Sequence, residues 1–209
     1  MPKVISDAQI LNAALDVITQ RGYTESTTRE IADAAGINEV TLFRRFGNKQ
    51  KLLTAAVEQE AKNFAAAGVE YTGNVEADLQ RVVDFYQNLM RTHGQMIRML
   101  LSEMPKQPEL AEVMQTPIAI IGKICTIIKQ YQEEDILLKE APMQSFTALI
   151  GPIFIGGILE FVLPEMRGSS FSSTEHVQRY LAGRYTNKQN TNEQNTNEQN
   201  MKAQNPPRL

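Results

Sequence analysis

The first fifty residues of the chain contain three short amphipathic helices, each with its own start and stop signals. Ser6 is followed three residues later by Gln9, and Thr27 three residues later by Glu30, a spacing in which the two side chains cap the first turn of a helix reciprocally. Asn38 precedes the third helix and is a favoured N-cap residue. Helices this short are marginal alone, so the pattern predicts one compact three-helix unit. Glycines end the three helices, at Gly22, Gly36 and Gly47.

The second and third helices fit a helix-turn-helix motif. Counting from Thr28, Ala32 is the fifth residue, Gly36 the ninth and Leu42 the fifteenth. The fifth residue lies where the helices cross and must be small, while the ninth takes a left-handed conformation that glycine adopts freely. The fifteenth buries the inner face of the second helix. The short turn with a glycine is what this DNA-binding motif requires.

Residues 8–55, about a quarter of the chain, resemble the TetR family of tetracycline-repressor-like regulators. Identities, helix lengths and the opening of the fourth helix all agree. The resemblance is carried by Thr27-Thr28-Arg29-Glu30-Ile31-Ala32, Ala35-Gly36-Ile37-Asn38, Thr41-Leu42-Phe43-Arg44-Arg45-Phe46, Asn48-Lys49 and Leu52-Leu53.

The resemblance implies DNA contacts at nine positions. Phe43 stands where the family usually has Tyr, so it keeps the ring but lacks a hydroxyl that commonly reaches a phosphate. Arg45 replaces a common His or Tyr and is expected to restore that contact by charge. These two departures affect which operator sequence is expected, and not whether the chain binds DNA. The matches to phosphate contacts are Thr28, Thr41 and Lys49. The side chains expected to project toward base edges or the flanking backbone are Arg29, Glu39, Val40 and Arg44.

The charge distribution favours one basic face on an acidic protein. The net charge is −3, which argues against a generally basic nucleic-acid coat. Residues 1–55 nevertheless carry seven Lys/Arg against six Asp/Glu, and Arg44, Arg45, Lys49 and Lys51 fall together without an acid between them. A local basic patch of this kind suits docking onto phosphates.

The remainder of the chain is also helical. Apolar residues recur at helical spacing, and we find no strand alternation, so the expected fold is all-α, with about nine helices. The expected domains are a helix-turn-helix head (residues 1–50), a larger ligand-binding and dimerisation body (51–186), and a tail (187–209) whose Asn/Gln-rich composition predicts disorder. Beyond the head, helices are expected at about 49–67, 75–92, 93–104, 108–114, 117–132, 145–163 and 174–184.

Methionines and aromatic residues of the body suggest a ligand cavity. Five of the nine methionines fall between residues 90 and 114, and methionine adapts to irregular space. The alternative at each position is an ordinary core residue. The resemblance favours a cavity within helices four to seven without identifying its lining. The candidate lining residues are Phe64, Phe85, Tyr86, Met90, Met96, Met99 and Met104.

The stretch 145–163 is apolar nearly all round, which indicates burial on more than one side. In the resembling family the last two long helices form a four-helix dimer interface. We therefore expect a homodimer, the alternative being a central core helix of a monomer. The candidate interface residues are Gly151, Ile155, Ile158 and Phe161.

Other chemistries find little support in the sequence. The only cysteine is Cys125, and the two histidines, His93 and His176, are far apart. No Gly-rich phosphate loop or metal-spaced cluster is present, so no enzyme activity, cofactor or metal is expected.

The N-terminus does not resemble a secretory signal, and the longest uncharged apolar run is shorter than the ~20 residues a bilayer needs. A reducing, cytoplasmic location without a membrane span is expected.

The sequence thus predicts a TetR-like homodimer that binds a partly palindromic double-stranded operator, usually to repress, and is released by a small, largely apolar ligand in the body. One alternative is a ligand-independent DNA-binding protein whose body only dimerises or docks a protein partner, which a body without a cavity would favour. Another is an enzyme on a helical scaffold, which converging polar groups in a pocket would favour.

Overall fold

The computed structural model describes residues 5–163, 165 and 171–186, and these form eight α-helices and one 3-10 helix without a strand. The all-α prediction is confirmed. The expected tail, 187–209, lies outside the described residues. The helices are α1 (Asp7–Arg21), α2 (Thr28–Ala35), α3 (Glu39–Phe46), α4 (Lys49–Ala66), α5 (Val75–Glu103), the 3-10 helix (Pro108–Met114), α6 (Gln115–Glu133), α7 (Pro142–Val162) and α8 (Ser173–Ala182).

The caps predicted from the sequence are present. Reciprocal capping boxes start α1 at Ser6 and α2 at Thr27. The side chain of Asn38 accepts a hydrogen bond from the backbone of Thr41 at 2.7 Å and starts α3. Gly36 ends α2 with φ +69° and ψ 30°, a left-handed conformation in which a side chain would be strained. The three short helices are therefore fixed by local signals.

The structure differs from the sequence prediction in α5, which is one helix of 29 residues where we expected a break at residue 93. Gly94 lies inside it and is buried. A Cβ there would stand 3.2 Å from the Arg98 guanidinium and 3.7 Å from Met90 Cε. A glycine within a helix costs only about 1 kcal/mol relative to alanine, which the packing of α5 offsets. The short segment 108–114 is a 3-10 rather than an α-helix.

The described chain has two clusters of buried apolar side chains, and α5 contributes residues to both. Its first half, up to Met90, packs with α6, α7 and α8 in the body core. Its last turns, from Met96 to Leu100, pack with α1 to α4 and the 3-10 helix in the head core. The head core is made of Ile10, Leu11, Ala14, Leu15, Ile18, Tyr23, Ile31, Ala32, Leu42, Leu52, Leu53, Ala56, Val57, Met96, Met99, Leu100, Leu110 and Val113.

By length and composition alone, two helical stretches of the described chain, Pro108–Glu133 and Pro142–Val162, could cross a membrane, although the sequence predicted no span. Both contribute buried side chains to the cores, such as Ile124 and Leu149. Core helices of soluble proteins have the same composition, so this feature is weak evidence for a membrane.

Candidate functional site

The third helix presents an outer face that the fold does not need. Ala32 and Leu42 are buried where α2 and α3 cross, at 1% and 2% exposure. On the opposite side Val40 is 76% exposed, Phe43 is 47% exposed, and Arg44 is exposed. Large apolar side chains left in water contribute little to stability, so this face is available to a partner. We call it the α3 face (Glu39, Val40, Phe43 and Arg44).

The first residues of α2 and α3 are joined by a hydrogen bond. Thr28 Oγ1 donates to Glu39 Oε1 at 2.5 Å, and both side chains are half-buried. The neighbouring Arg29 is exposed, while Thr41 is half-buried within α3. Several of the predicted DNA-contact residues therefore lie together, along α3 and at the start of α2.

Arg45 is bound within the head. Its guanidinium donates to the backbone oxygen of Ile5 at 2.9 Å and pairs with the Asp7 carboxylate. These contacts fix the end of α3 to the start of α1. The expected replacement of a phosphate contact by Arg45 would require this ion pair to open.

Lys49 also turns inward, so the expected phosphate contact of its ammonium would require these internal bonds to open. Its ammonium donates to the backbone oxygens of Tyr23 and Ser26, the latter at 2.7 Å, and lies 4.5 Å from the centre of the Tyr23 ring. Burial lowers the pKa of Lys49, partly offset by Glu103 and other acids. Two of the three ammonium donors are thus used to hold the start of α4 against the α1–α2 loop.

A cavity of about 200 Å³ lies between α4, α5, the 3-10 helix, α6 and α7, with almost entirely apolar walls. Thr116 and Tyr86 are the lining residues with polar side-chain atoms, and burial raises the pKa of the Tyr86 hydroxyl. The lining residues are Val57, Phe85, Tyr86, Leu89, Met96, Ile97, Leu100, Leu101, Met114, Thr116, Pro117, Ile120, Ile121 and Phe154.

Three of the seven candidate lining residues, Phe85, Tyr86 and Met96, line this cavity. Phe64 stands behind it, with its ring edge-on to Phe85 at 5.0 Å. The other three do not line it. Met90 packs in the body core, Met99 lies in the head core, and Met104 packs at the edge of the head core.

Sequence reasoning missed the wall formed by the 3-10 helix and the start of α6. Met114, Pro117, Ile120 and Ile121 all line the cavity. Their spacing of three and four residues indicates one apolar helix face, but the same spacing is found in any buried helix. Which residues face a void depends on how distant elements meet.

The 3-10 helix connects the cavity with the head. At one end, Met114 lines the cavity. Along its length, Gln50 Nε2 at the start of α4 donates to the backbone oxygen of Glu109 at 3.0 Å and to Glu112 Oε2 at 2.6 Å. Nearby, Thr24 Oγ1 donates to Glu103 Oε2 at 2.9 Å and so joins the α1–α2 loop to α5. Displacement of this wall would therefore reach the first turn of α4.

The second half of α7 exposes apolar side chains. Ile155, Phe161 and Val162 are between 54% and 62% exposed, and Leu159 is 37% exposed. The expected interface residues Gly151 and Ile158 are half-buried. We call this surface, from Gly151 to Val162, the α7 face.

The glycines of α7 differ in their surroundings. A Cβ at Gly157 would lie 2.7 Å from Met90 Cε, so this glycine allows α5 to approach closely. A Cβ at Gly151 or Gly156 would have no neighbour within 4 Å among the described residues. Packing within the described part of the chain therefore does not account for these two glycines.

Comparisons with known proteins agree with this architecture. Residues 10–56 match the family model described as "Bacterial regulatory proteins, tetR family". The chain is 35% identical over 77 residues to the uncharacterized HTH-type transcriptional regulator YvkB of Bacillus subtilis, a match that covers 37% of this chain and 41% of that protein. The chain thus spans less than half the length of this curated relative.

Solved structures extend the likeness to the body. The fatty acid degradation regulator FadR from Bacillus halodurans superposes with a TM-score of 0.63 at 19% identity, over 87% of this chain and 95% of that one. The transcriptional regulator FadR from Bacillus subtilis, in complex with stearoyl-CoA, gives a TM-score of 0.62 at 18% identity, over 83% and 95%. The capped helix-turn-helix and the match over residues 10–56 identify a tetR-family DNA-binding region at the start of the chain, and the described body shares the fold of these solved regulators.

Proposed function

We propose that the chain is a transcriptional regulator that binds a partly palindromic operator as a homodimer, represses, and is released by a small, largely apolar ligand in the body cavity. The observation that carries this proposal is that the 3-10 helix both lines an apolar cavity and bonds to the first turn of α4, which follows the exposed α3 face. Such a regulator works in the cytoplasm, where the DNA is.

The α3 face supports the DNA-binding part. A recognition helix enters the major groove with its N-terminal residues at base edges, and at this end of α3 Val40 is exposed and Glu39 is half-buried beside it. Arg44 and Lys51 are exposed beside it and add positive charge near the phosphates. Because the Lys49 ammonium is bonded to the backbone oxygens of Tyr23 and Ser26, we do not count Lys49 among the proposed phosphate contacts.

The cavity supports the ligand-binding part, and argues against a body that only dimerises. A cavity of roughly 150 Å³ accommodates benzene, so about 200 Å³ accepts a somewhat larger apolar molecule without rearrangement. Because none of the lining residues is charged, the site suits an uncharged ligand portion. A long acyl chain would require α5 and α6 to separate.

The proposed mechanism is a shift between two settings of α4. Ligand in the cavity presses on the wall at Met114, and the 3-10 helix carries this displacement to Gln50. A ligand that favours the displaced setting shifts the population toward it. In a dimer, the two heads then no longer match half-sites one DNA turn apart, about 10 bp.

Selection from a random pool of duplex DNA tests the DNA-binding part. The full chain is expected to enrich inverted half-sites about one turn apart. Titrations on the enriched site and on a scrambled duplex across a salt series then measure specificity. Arg44→Ala is expected to weaken binding, whereas Lys139→Ala, at an exposed ion pair in the α6–α7 loop, is the matched control. Failure to enrich any sequence contradicts the proposed function.

Naphthalene, an uncharged apolar probe, tests the coupling. It is expected to raise the melting temperature of the protein, because it binds the native cavity alone, and to lower operator affinity. In Gln50→Ala the probe should still stabilise the body but change operator affinity less. Absence of stabilisation, or equal release in both proteins, would contradict the ligand-driven mechanism.

A further inference from the structure

The geometry points to a specific sequence preference: we propose that Glu39 reads a cytosine and Val40 the methyl group of a thymine at the neighbouring base pair of each half-site. This inference rests on the proposed function, since it requires that the α3 face meets DNA. It goes further by naming the bases that two particular side chains select.

The Glu39 side chain is not needed to cap the N-terminus of α3. Asn38 already caps α3, through its bond from the Thr41 backbone at 2.7 Å. The Glu39 carboxylate instead accepts the hydroxyl hydrogen of Thr28 at 2.5 Å. A carboxylate has about four acceptor positions, so one bond fixes its direction and leaves capacity for a donor from outside.

A carboxylate on this face is unfavourable next to phosphates unless it receives such a donor. Glu39 is the only acid in α3, which also carries Arg44 and Arg45. Among the base edges in the major groove, the donors are the amino groups of cytosine and adenine. Adenine places its N7 acceptor beside the amino group, and this lone pair repels a carboxylate. Guanine and thymine present acceptors at the corresponding position, so cytosine is the base that Glu39 selects.

Val40 supplies the second contact. It is the most exposed of the large apolar residues in the described chain, at 76%, and the cores do not use it. Thymine offers the major groove an apolar group, its C5 methyl. Because Val40 follows Glu39 in the first turn of α3, the two side chains meet neighbouring base pairs.

Thr28 acts as a positioning residue in this arrangement. A hydroxyl donates one hydrogen, and Thr28 gives it to Glu39. Its backbone N–H, at the first position of α2, is left to face a phosphate. Thr28→Val should therefore lower discrimination at the cytosine position more than it lowers affinity for random DNA.

The test is selection from random duplexes with the full-length wild type, Glu39→Gln and Asp33→Asn. The wild type should enrich one cytosine per half-site beside a thymine. Glutamine has the same shape as glutamate but pairs bidentately with adenine, so Glu39→Gln should change that position alone from cytosine to adenine. Asp33 is an exposed acid of α2, and Asp33→Asn should keep the wild-type preference.

Direct titration completes the test. On its own selected site, the wild type should lose on the order of tenfold to a hundredfold in affinity when the cytosine is replaced by adenine. Replacing the thymine by deoxyuridine, which lacks the methyl group, should weaken the wild type severalfold and leave Val40→Ser unaffected. If Glu39→Gln selects the wild-type sequence, or the wild type tolerates adenine, the proposal is overturned. If the wild type selects no sequence at all, the proposed function fails instead.

Discussion

At the scale of single residues, the ammonium of Lys49 joins the start of α4 to the α1–α2 loop within the head. It holds the α1–α2 loop through the backbone oxygens of Tyr23 and Ser26 and is partly enclosed by the Tyr23 ring. Loss of the ammonium would leave two carbonyl groups without their donor in a partly buried place. Hydrogen bonds to charged groups are worth about 1.5–3 kcal/mol each before screening.

We therefore expect Lys49→Met to lower the free energy of unfolding by about 1–3 kcal/mol and to leave the salt dependence of DNA binding nearly unchanged. Lys51→Met, two residues away at an exposed position, should leave stability unchanged. Urea unfolding and DNA titrations across a salt series measure the two effects. A drop of about one unit in the salt slope for Lys49→Met, at unchanged stability, would restore the phosphate role.

The contrast between Lys49 and the caps shows what a sequence can predict at this scale. Ser6, Thr27 and Asn38 each find their partner three residues away, so spacing alone identifies them. The partners of Lys49 are 23 and 26 residues away. They become visible only when the α1–α2 loop has folded back, which no local pattern specifies.

At the scale of elements, the loop between α6 and α7 is fastened to the end of α8. Glu140 Oε1 accepts a hydrogen bond from Ser145 Oγ at 2.6 Å and one from Arg184 Nε at 2.8 Å. These bonds, that from Ser145 first, lower the pKa of the Glu140 carboxyl. Close by, the backbone of Leu138 donates to Arg184 at 2.8 Å. The sequence predicted the helices on either side but not this fastening, since its ends lie 44 residues apart.

This fastening predicts a pH dependence. The pKa of Glu140 is lower in the folded protein than in the unfolded chain. The stability that its charge contributes is therefore present at pH values above its unfolded pKa, and is lost as the pH falls through its folded pKa. Glu140→Gln should be less stable than wild type at pH 7, by about 1 kcal/mol, and the difference should shrink toward pH 3. Glu133→Gln, at an exposed pair with Lys129, is the control and should change little. Urea unfolding at several pH values measures this, and a difference independent of pH would show that the charge plays no part.

At the scale of the whole molecule, the α7 face is an exposed apolar surface that a binding partner would bury. Ile155, Phe161 and Val162 are each more than half exposed, and the two open glycines allow another helix to approach closely. A contiguous apolar patch of this kind marks an interaction surface. A second copy of the chain is the occupant that the two-headed mechanism requires.

The wild type is expected to sediment at about twice 23.5 kDa at micromolar concentration. Ile155→Glu should weaken pairing, because it buries an unpaired charge in the interface. Ile118→Glu, at an equally exposed isoleucine of α6 (61% against 57%), should leave the dimer intact. A monomeric wild type would contradict the proposed mechanism. If Ile118→Glu dissociated the dimer and Ile155→Glu did not, the interface would lie on α6 rather than on α7.

The sequence predicts the whole architecture better than the void inside it. Helical periodicity suffices for an all-α head and body, because each helix carries its own pattern. The cavity arises where five elements fail to fill the space between them, so four of the seven aromatic and methionine candidates lie elsewhere, as Met99 does in the head core.

Three cavity-lining residues, Val57, Met96 and Leu100, also belong to the head core. A substitution at any of them alters ligand fit and the stability of the reading head together. Ile121 and Phe154, on the opposite wall, pack against the body core instead, so substitutions there change ligand fit without disturbing the head core. Ligand specificity should therefore change more readily from the α6 and α7 side of the cavity than at Val57, Met96 and Leu100, where each change also alters the head.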